Sequence, residues 1–333
     1  MTNGVRQGAL LSAKAYCFYM EELFALLKQN RAGCWVMDQY HGIFGYSDDN
    51  WILAPSLSAL QDILKTCEEY AAQHNLKFST DKNPQKCKTK CMAFLFKPRK
   101  LPDMHLCGNP LPWVDSLVHL GTTVTNHLDG GQQDIKLKIA RYIDRNCSLC
   151  QEFKFVHPKT LIKINDIYNC HFSGYQLWNL FSHGAVKFES TFNKSIKIMA
   201  GVPIQTHRYL IEPLRGKEHM KMELIRNYLG FVKRLRNSSK PILRVLYSIC
   251  SKDARTVTGS NLRNILLLTN ETQVDKLRSN MVDNIKYRQI DQNQTWRIPL
   301  VLELLDLQHG DKDLIGEWSV EEMKEMLNVA CTQ

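Results

Sequence analysis

The pattern of apolar and polar positions is most distinctive around residues 43 to 54, where two short apolar runs enclose four polar residues. The runs are Ile43 to Tyr46 and Trp51 to Ala54, and Ser47-Asp48-Asp49-Asn50 lies between them. Small polar residues between short apolar strands are typical of a tight β-hairpin turn. The pattern therefore predicts a hairpin with two adjacent carboxylates at its tip.

Helical spacing precedes and follows this hairpin. Ala9 to Leu27 runs apolar at helical spacing and is predicted to form a mostly buried helix after a glycine-flanked loop, Gly4 to Gly8. Pro55 to Ser58, followed by Gln61, fits a capping box that begins a second helix. The apolar face of this second helix is expected to contain Leu60, Ile63, Leu64, Cys67 and Ala71.

Shorter elements are predicted between the second helix and residue 125. Leu76 to Phe78 and Cys91 to Phe96 have the composition of strands, and Gly108 to Pro112 has that of a turn. Leu117 to Thr125 contains a short strand, Val118 to Gly121. Small strands between helices predict an α+β fold, with an antiparallel sheet in this part of the chain.

From Gln132 onward the apolar spacing is that of helices. Three helices are predicted, and the expected apolar faces are Ile135, Ile139, Ile143 and Cys147, then Leu161, Ile164, Ile167 and Tyr168, then Phe188, Phe192, Ile196 and Met199. Residues 210 to 250 are again helical and strongly basic. Residues 251 to 295 are polar and are expected to be loosely packed or a linker, and Ser319 to Glu322 predicts a short acidic helix near the end.

Charge suggests an anionic partner. Lys and Arg number 43 against 33 Asp and Glu, which gives a net charge of +10 and a pI near 9.0. Between Lys82 and Lys100 there are seven Lys or Arg and no acid. This segment and the basic helices after residue 210 fit either solvated surfaces or contacts with phosphates, and nucleic acid is favoured over a membrane surface.

Eleven cysteines are spread through the chain without a compact framework. Because no apolar signal segment follows Met1, we expect free thiols in a reducing, intracellular compartment, either nucleus or cytoplasm. No window of about 18 uncharged apolar residues occurs, so a membrane span is not expected.

Carboxylates at the hairpin tip suggest a metal site. Ionised carboxylates are hard oxygen ligands suited to Mg²⁺, which polymerases and nucleases use to stabilise the attacking and leaving oxygens. Adjacent strand residues point to opposite faces, however. Asp48 and Asp49 therefore need a third carboxylate from elsewhere to complete a metal pair.

Four motifs occur in the order and rough spacing seen in reverse transcriptases. They are Gly4-Val-Arg-Gln-Gly8 with Leu11-Ser12, Tyr46-Ser-Asp-Asp49, Lys86-Cys-Lys-Thr-Lys90 and Leu120-Gly121. The chain resembles the downstream palm and the thumb of the RNA-directed DNA polymerase of non-LTR retrotransposons. The resemblance implies a right-hand polymerase with a partial palm over residues 1–125, a helical thumb-like region over 126–210 and a basic helical region over 211–333.

The resemblance also implies residue roles. Asp48 matches the metal-binding aspartate, with Asp49 as a supporting carboxylate, and Tyr46 matches the aromatic residue near the primer end. Arg6, Gln7 and Gly8 match the loop that lines the incoming nucleotide and the template. Lys88, or alternatively Lys86, matches the lysine that faces the nucleotide phosphates, and Leu120-Gly121 matches the primer-grip turn. The implied cofactor is Mg²⁺, and the implied partners are an RNA template, a DNA primer or RNA–DNA duplex, and a dNTP.

The thumb-like helices are expected to contact the sugar-phosphate backbone without reading sequence. The lysines expected to do so are Lys136, Lys138, Lys159 and Lys163.

The chain departs from the family pattern in three places. Ser12-Ala13 stands where the family usually has Ser-Pro, and Ser47 stands where alanine is commoner. The family's remaining metal aspartate and its fingers lie upstream of the Gly4 to Gly8 loop, which only Met1-Thr-Asn3 precedes here. Asp38 is the nearest substitute, but it lies on the approach to the hairpin. We therefore expect two of three carboxylates, weak Mg²⁺ binding and little or no catalysis.

Two other interpretations remain open. The first is a non-enzymatic nucleic-acid-binding remnant that uses the thumb and the basic helices, and the second is a fragment without a stable fold. Other candidate sites are predicted to be structural. Cys147 and Cys150, with His157, Cys170 and His171, fit core thiols better than a zinc site, and core packing is favoured for Trp51, Trp113 and Trp178.

Overall fold

The computed structural model describes residues 10–94, 100–127, 129–170, 172–273, 276–277 and 325. Contacts between Cα atoms divide the chain into two compact units. The first unit comprises residues 1–117 and 237–248, and the second comprises residues 118–236 and 249–333. The predicted acidic helix after Ser319 lies outside the described residues, apart from Glu325.

Among its described residues, the first unit contains two long helices, three antiparallel hairpins and most of a further helix, Pro241–Lys252. The elements before residue 117 are α1 Ser12–Gln29, β1 Trp35–Val36, β2 Gln39–Tyr40, β3 Ile43–Tyr46, β4 Asp49–Ile52, α2 Leu57–Gln73, β5 Met104–Leu106 and β6 Asn109–Leu111. The strands pair as β1 with β2, β3 with β4 and β5 with β6. This mixture of helices and small antiparallel sheets is compatible with the predicted α+β class.

Two predicted strands are not formed in the described residues. Residues 76–78 and 92–94 are irregular, and Cys91 makes only an isolated bridge to Trp113. The structure instead places a hairpin across the predicted turn at 108–112, where Met104 pairs with Leu111.

The core of the first unit is apolar. Its first cluster joins α1, α2 and the β3–β4 hairpin through Met20, Leu23, Leu27, Ile43, Ile63, Cys67 and Tyr70. A second cluster joins α2 to the β5–β6 hairpin through Leu64, Cys87, Cys91, Met104, Leu106 and Leu111. The predicted apolar face of α2 is thus confirmed, although its N-cap is Ser56, whose hydroxyl accepts from Ala59 N.

Helix α1 differs from the prediction because only one of its faces is buried. Met20, Leu23 and Leu27 pack into the core, whereas Leu11 and Phe18 are largely exposed. The apolar spacing located the helix correctly but did not separate the covered face from the open one.

The remaining elements are a strand pair and a series of helices. They are β7 Ser116–His119, β8 Thr122–Thr125, α3 Gln132–Glu152, α4 Pro158–Tyr168, α5 His183–Ala200, α6 Ile211–Arg215, α7 Met220–Arg236, α8 Pro241–Lys252 and α9 Val257–Thr269, with 3-10 turns at Tyr175–Leu177 and Arg208–Leu210. Among the described residues, no helix is long and apolar enough to cross a membrane.

Two helical faces were predicted correctly only in part: Ile135 and Ile139 of α3 and Leu161 of α4 are buried as expected. On α3 burial follows Ile135, Ile139, Tyr142 and Asn146, while Ile143 and Cys147 are exposed. On α4 the buried residues include Asn165 and Asp166, while Ile167 and Tyr168 are exposed. The face predicted for α5 is buried as expected.

The segment predicted to be loosely packed contains α9. Leu262 and Ile265 of this helix are buried, and Asn261 is fully buried. The Asn261 side chain accepts from Leu180 N at 2.9 Å and donates to Trp178 O at 2.8 Å. These bonds tie α9 to the segment before α5, so residues 257–269 are part of the packed second unit.

Charged side chains are buried within the second unit. Arg215 Nε donates to Asp166 Oδ1 at 2.9 Å, and Arg215 Nη2 lies 2.8 Å from Glu223 Oε2. The Arg215 guanidinium also lies over the ring of Phe192. Burial of a charge is tolerated when it is paired in this way.

Candidate functional site

The predicted hairpin is formed by β3 and β4, but its turn is shorter than expected. Tyr46 pairs with Asp49 and Gly45 with Asn50, so only Ser47 and Asp48 form the turn. Ser47 adopts a positive φ of 56°, which two-residue hairpin turns require at their first position. Asp48 therefore lies in the turn, and Asp49 begins β4.

The two faces of this hairpin are different. Side chains alternate along a strand, so the register places Tyr46 and Asp49 side by side on one face. Ile43 and Gly45 point to the other face, together with Asn50 and Ile52. The second face packs on α1, because a Cβ atom at Gly45 would lie 2.7 Å from the Phe24 ring. Glycine at position 45 thus permits the close approach of hairpin and helix.

The base of the hairpin is fixed by backbone hydrogen bonds. Leu53 N donates to Gly42 O at 2.8 Å, Cys34 N donates to Leu53 O at 3.0 Å, and His41 N donates to Cys34 O at 2.7 Å. His41 is buried, and desolvation lowers the pKa of its imidazole. These bonds connect the β1–β2 segment to the base of β3 and β4.

The candidate catalytic residues at the tip are open to solvent. Asp48 and Asp49 are exposed, and Tyr46 is 67% exposed. Neither carboxylate makes a hydrogen bond or an ion pair with the other described residues. The pKa of Tyr16 on α1 is raised by burial and, to a smaller extent, by the negative charge of Asp48.

The donor set at the tip does not by itself fit a two-metal site. Among the described residues, no group of three or more His, Cys, Asp or Glu side chains is arranged to hold a metal ion. Asp38, the nearest substitute, is exposed in the two-residue turn between β1 and β2. Asp48 and Asp49 supply carboxylates from two consecutive positions of the chain, and Mg²⁺ would need further ligands from other residues or substrate phosphates.

Lys88 lies in the basic loop that precedes the bridge at Cys91. Lys86 and Lys88 are exposed, while Cys87 between them is buried in the second apolar cluster. The Cys87 thiol donates to Thr89 O at 3.0 Å. This alternation directs both lysines outward, and no ion pair joins Lys88 to Asp48 or Asp49.

Leu120 and Gly121 form the turn between β7 and β8. Both have positive φ, 47° and 76°, and Leu120 is 51% exposed. Arg6, Gln7 and Gly8, which were predicted to line the nucleotide, lie outside the described residues. The roles of all these residues stay predictions.

Lys138 has a different environment from that expected of a surface lysine. Its ammonium donates to Gly121 O at 2.9 Å and lies 3.3 Å from Ser173 Oγ. Lys136 and Lys163, by contrast, are exposed. Lys138 was expected among the lysines that contact the sugar-phosphate backbone. Its spacing of four residues from Asp134 places both side chains on one face of α3, but it does not indicate that this face contacts the β7–β8 turn.

The alternative cysteine site is not formed by the described residues. Cys147 is exposed and Cys150 is partly exposed, so the expectation that both are core thiols is wrong for Cys147. His171, the last member of the alternative set, lies outside the described residues. Trp178 is fully buried as predicted, whereas Trp51 and Trp113 are only partly buried.

Comparison with known proteins agrees with the resemblance over the first part of the chain. No curated protein matches this chain. The family model described as reverse transcriptase (RNA-dependent DNA polymerase) matches residues 1–124. This match includes α1, the Asp48–Asp49 hairpin, the basic loop and the Leu120–Gly121 turn, so residues 1–124 are similar to a reverse transcriptase domain.

Proposed function

We propose that this chain is part of a reverse transcriptase of the non-LTR retrotransposon class, which in the intact enzyme copies RNA into DNA. The observation that carries the proposal is the ordered set of motifs from Gly4 to Gly121, which coincides with the family match over residues 1–124. In this proposal residues 1–125 contribute the palm, and the helical residues 126–210 contribute the thumb.

The hairpin has a fitting geometry for a primer end. Tyr46 and Asp49 pair across the hairpin and are both exposed, and Asp48 directly precedes Asp49 in the turn. We assign Asp48 and Asp49 to metal binding, Tyr46 to contact with the primer end, Lys88 to the nucleotide phosphates, and Arg6, Gln7 and Gly8 to the nucleotide and template. Bound Mg²⁺ would stabilise charge on the transferred phosphoryl group.

Binding of a primer–template duplex is the activity that this chain supports best on its own. Phosphate contacts require exposed cations, and the exposed basic residues include Lys86, Lys88, Lys136 and Lys163. Efficient nucleotidyl transfer requires more oxygen ligands than the pair at the hairpin tip. We therefore expect the chain to bind RNA–DNA duplex and to extend a primer weakly or not at all.

The direct test is primer extension by the purified chain on poly-rA/oligo-dT with Mg²⁺ and dTTP, combined with duplex binding measured by fluorescence anisotropy. The expected result is binding that weakens steeply as salt is raised, without measurable extension. Asp48→Ala should leave binding intact because it removes no cation.

Each alternative outcome has a defined meaning. Extension that is abolished by Asp48→Ala would overturn the expected inactivity and establish the chain as an enzyme. Absence of salt-dependent binding would overturn the proposal that the chain holds a primer–template. Retained binding without extension supports the non-enzymatic nucleic-acid-binding function.

A further inference from the structure

The turn between β7 and β8 has a backbone conformation that needs support. Both Leu120 and Gly121 have positive φ, as in the turns that close two-residue hairpins. Glycine adopts this conformation freely, but leucine is disfavoured there because its Cβ approaches the following carbonyl oxygen. Contacts from the surrounding structure therefore decide whether this turn keeps one geometry.

Helix α3 supplies two such contacts. Lys138 Nζ donates to Gly121 O at 2.9 Å, and Asp134 Oδ1 accepts from Thr123 N at 2.8 Å. Residues four apart lie on the same face of a helix. The Asp134 carboxylate binds the N–H of Thr123, and the Lys138 ammonium binds the carbonyl oxygen of Gly121. The two charged side chains therefore hold the residues on either side of Thr122.

Both side chains are themselves fixed. The second oxygen of Asp134 accepts from Trp178 Nε1 at 2.8 Å, and both Asp134 and Trp178 are buried. Lys138 lies 3.3 Å from Ser173 Oγ, and burial is the main reason why the pKa of its ammonium is lowered. Nearby Arg141 and Arg145 lower that pKa further, while Asp134 opposes the shift.

A third segment also contacts this strand. A Cβ atom on Gly174 would lie 2.4 Å from Thr122 Oγ1, so the segment that carries Ser173 packs directly on β8. Thr122, the first residue of β8, is buried, and its neighbours Gly121 and Thr123 bond to α3. Leu120 remains half exposed at the end of the turn.

We propose that Lys138 is a positioning residue, which holds the Leu120–Gly121 turn in one orientation for contact with the primer strand. This inference rests on the proposed function, because the primer gives the turn its role. Two donors of the Lys138 ammonium are directed at Gly121 O and Ser173 Oγ. Lys138 therefore acts through the turn instead of binding a phosphate itself.

The test compares Lys138→Met with Lys136→Met in the full chain. Both variants remove one positive charge from α3, but Lys136 is exposed and makes no hydrogen bond to the turn. Affinity for an RNA–DNA primer–template is measured by anisotropy at several salt concentrations. We expect Lys138→Met to weaken binding about tenfold, as for loss of one charge-assisted hydrogen bond, with an unchanged salt dependence. Lys136→Met removes one of the lysines proposed to contact phosphates and should instead reduce the salt dependence.

A direct phosphate contact predicts a different result. Loss of such a contact would reduce the slope of log K against log salt by about 1. That reduction in Lys138→Met would overturn the positioning role. Lys138→Arg, which keeps a cationic donor, should recover most of the affinity, and failure of this rescue with an intact fold would also count against the proposal.

A second measurement does not depend on nucleic acid. Amide hydrogen exchange of the peptide covering residues 116–125 should accelerate in Lys138→Met and stay unchanged in Lys136→Met. If exchange accelerates but the wild-type chain binds no duplex, Lys138 holds the turn and the proposed function fails. If exchange is the same in both variants, the positioning role is overturned whether or not duplex binds.

Discussion

The two units use charged residues in opposite ways. In the first unit, Asp48 and Asp49 are exposed and form no ion pair with the described residues, while the core around Leu23 and Ile63 is apolar. In the second unit, Asp166 and Arg215 are almost fully buried and paired with each other.

This difference separates acids that are available to a ligand from acids that stabilise the fold. A carboxylate engaged by a buried guanidinium is not free to bind a metal ion, because separating the pair leaves an uncompensated buried charge. Asp134, Asp166 and Glu189 are buried acids with partners inside the fold: Asp134 accepts from Thr123 N and Trp178 Nε1, Asp166 pairs with Arg215, and Glu189 pairs with Arg208. The carboxylates at the hairpin tip carry no such penalty, and a cation can reach them.

The largest predicted effect on stability follows removal of the buried Arg215 guanidinium. Arg215→Met removes the partner of Asp166 and of Glu223 and leaves the buried Asp166 carboxylate with Lys217 and the weak thiol donor of Cys170. We expect the free energy of unfolding to fall by about 3–5 kcal/mol. The midpoint of urea unfolding of the full chain measures this change.

Arg255→Met is the matched control. Arg255 also pairs with an aspartate, Asp253, but its side chain is exposed, and solvent screens such a pair. We expect little change in the urea midpoint. If the two variants lost the same stability, the contrast between buried and exposed pairs would be wrong.

The next effect concerns acid pH. Burial and the cations Arg208, Lys221 and Arg215 lower the pKa of His219 to about 4, although Glu189 lies 3.2 Å away. In the unfolded chain the pKa is about 6.5. The unfolded chain binds this proton at a higher pH than the folded chain does. The free energy of unfolding is therefore greatest above about pH 6.5 and decreases by about 3 kcal/mol as the pH falls to about 4.

His219→Gln should remove most of this pH dependence, since glutamine does not titrate. Urea midpoints measured at intervals from pH 7 to pH 4 give the slope. His105→Gln, a change at an exposed histidine, should leave the slope as it is. If wild type and His219→Gln had equal slopes, proton binding by His219 would not be coupled to folding. A smaller pH dependence should remain in His219→Gln, because burial also lowers the pKa of His41.

A smaller effect is expected where the hairpin meets α1. Gly45→Ala places a methyl group 2.7 Å from the Phe24 ring, and overpacking of this kind costs about 1–3 kcal/mol. Gly230→Ala in α7 has its nearest neighbour at 3.7 Å, so it should stabilise by up to about 1 kcal/mol through helix propensity. Thermal unfolding of both variants gives the signs, and stabilisation by Gly45→Ala would contradict the close contact.

The smallest effect is expected at the tip itself. Asp48→Asn and Asp49→Asn alter exposed acids outside any ion pair, so unfolding free energy should change by no more than about 0.5 kcal/mol. Urea unfolding of the two variants tests this expectation. A loss comparable to that of Arg215→Met would mean that the two carboxylates stabilise the fold.

Much of the first unit follows from its sequence, because its elements are short and have local signals. Tyr46 and Trp51 flank four polar residues, which was sufficient to locate the β3–β4 hairpin. The turn is two residues shorter because Asp49 and Asn50 join the ladder, and propensity alone does not predict that polar residues pair. The β5–β6 hairpin was missed because Pro110 resembles a turn residue, although an edge strand accepts proline.

The second unit was harder to predict because its helices bury polar residues. A repeat of four residues drifts around a helix of 3.6 residues per turn, so Ile143 and Cys147 rotate away from the face that Ile135 begins. On α4, Asn165 and Asp166 are buried because Tyr142 and Arg215 bond them. Those partners are distant in sequence, so the spacing of apolar residues pointed to the wrong face.

The sequence predicted the hairpin that carries the candidate residues, but not the hydrogen bonds that hold the Leu120–Gly121 turn. The positions of Asp48, Asp49 and Tyr46 on one hairpin follow from local sequence. The bond from Lys138 to Gly121 does not, because it joins residues 17 positions apart through a turn whose backbone angles the sequence does not state.

The hydrogen bonds at the base of the β3–β4 hairpin also determine how accurately its tip is placed. Four residues at about 3.4 Å each extend about 14 Å from that base, so a rotation of about 5° there displaces the tip by about 1 Å. Displacements of this size are large for groups that must meet a reacting phosphate. The contact between Gly45 and Phe24 lies partway along this length and limits such rotation. Because Gly45 has no side chain, the hairpin can pack closely on α1, and this contact helps to fix the positions of Asp48 and Asp49.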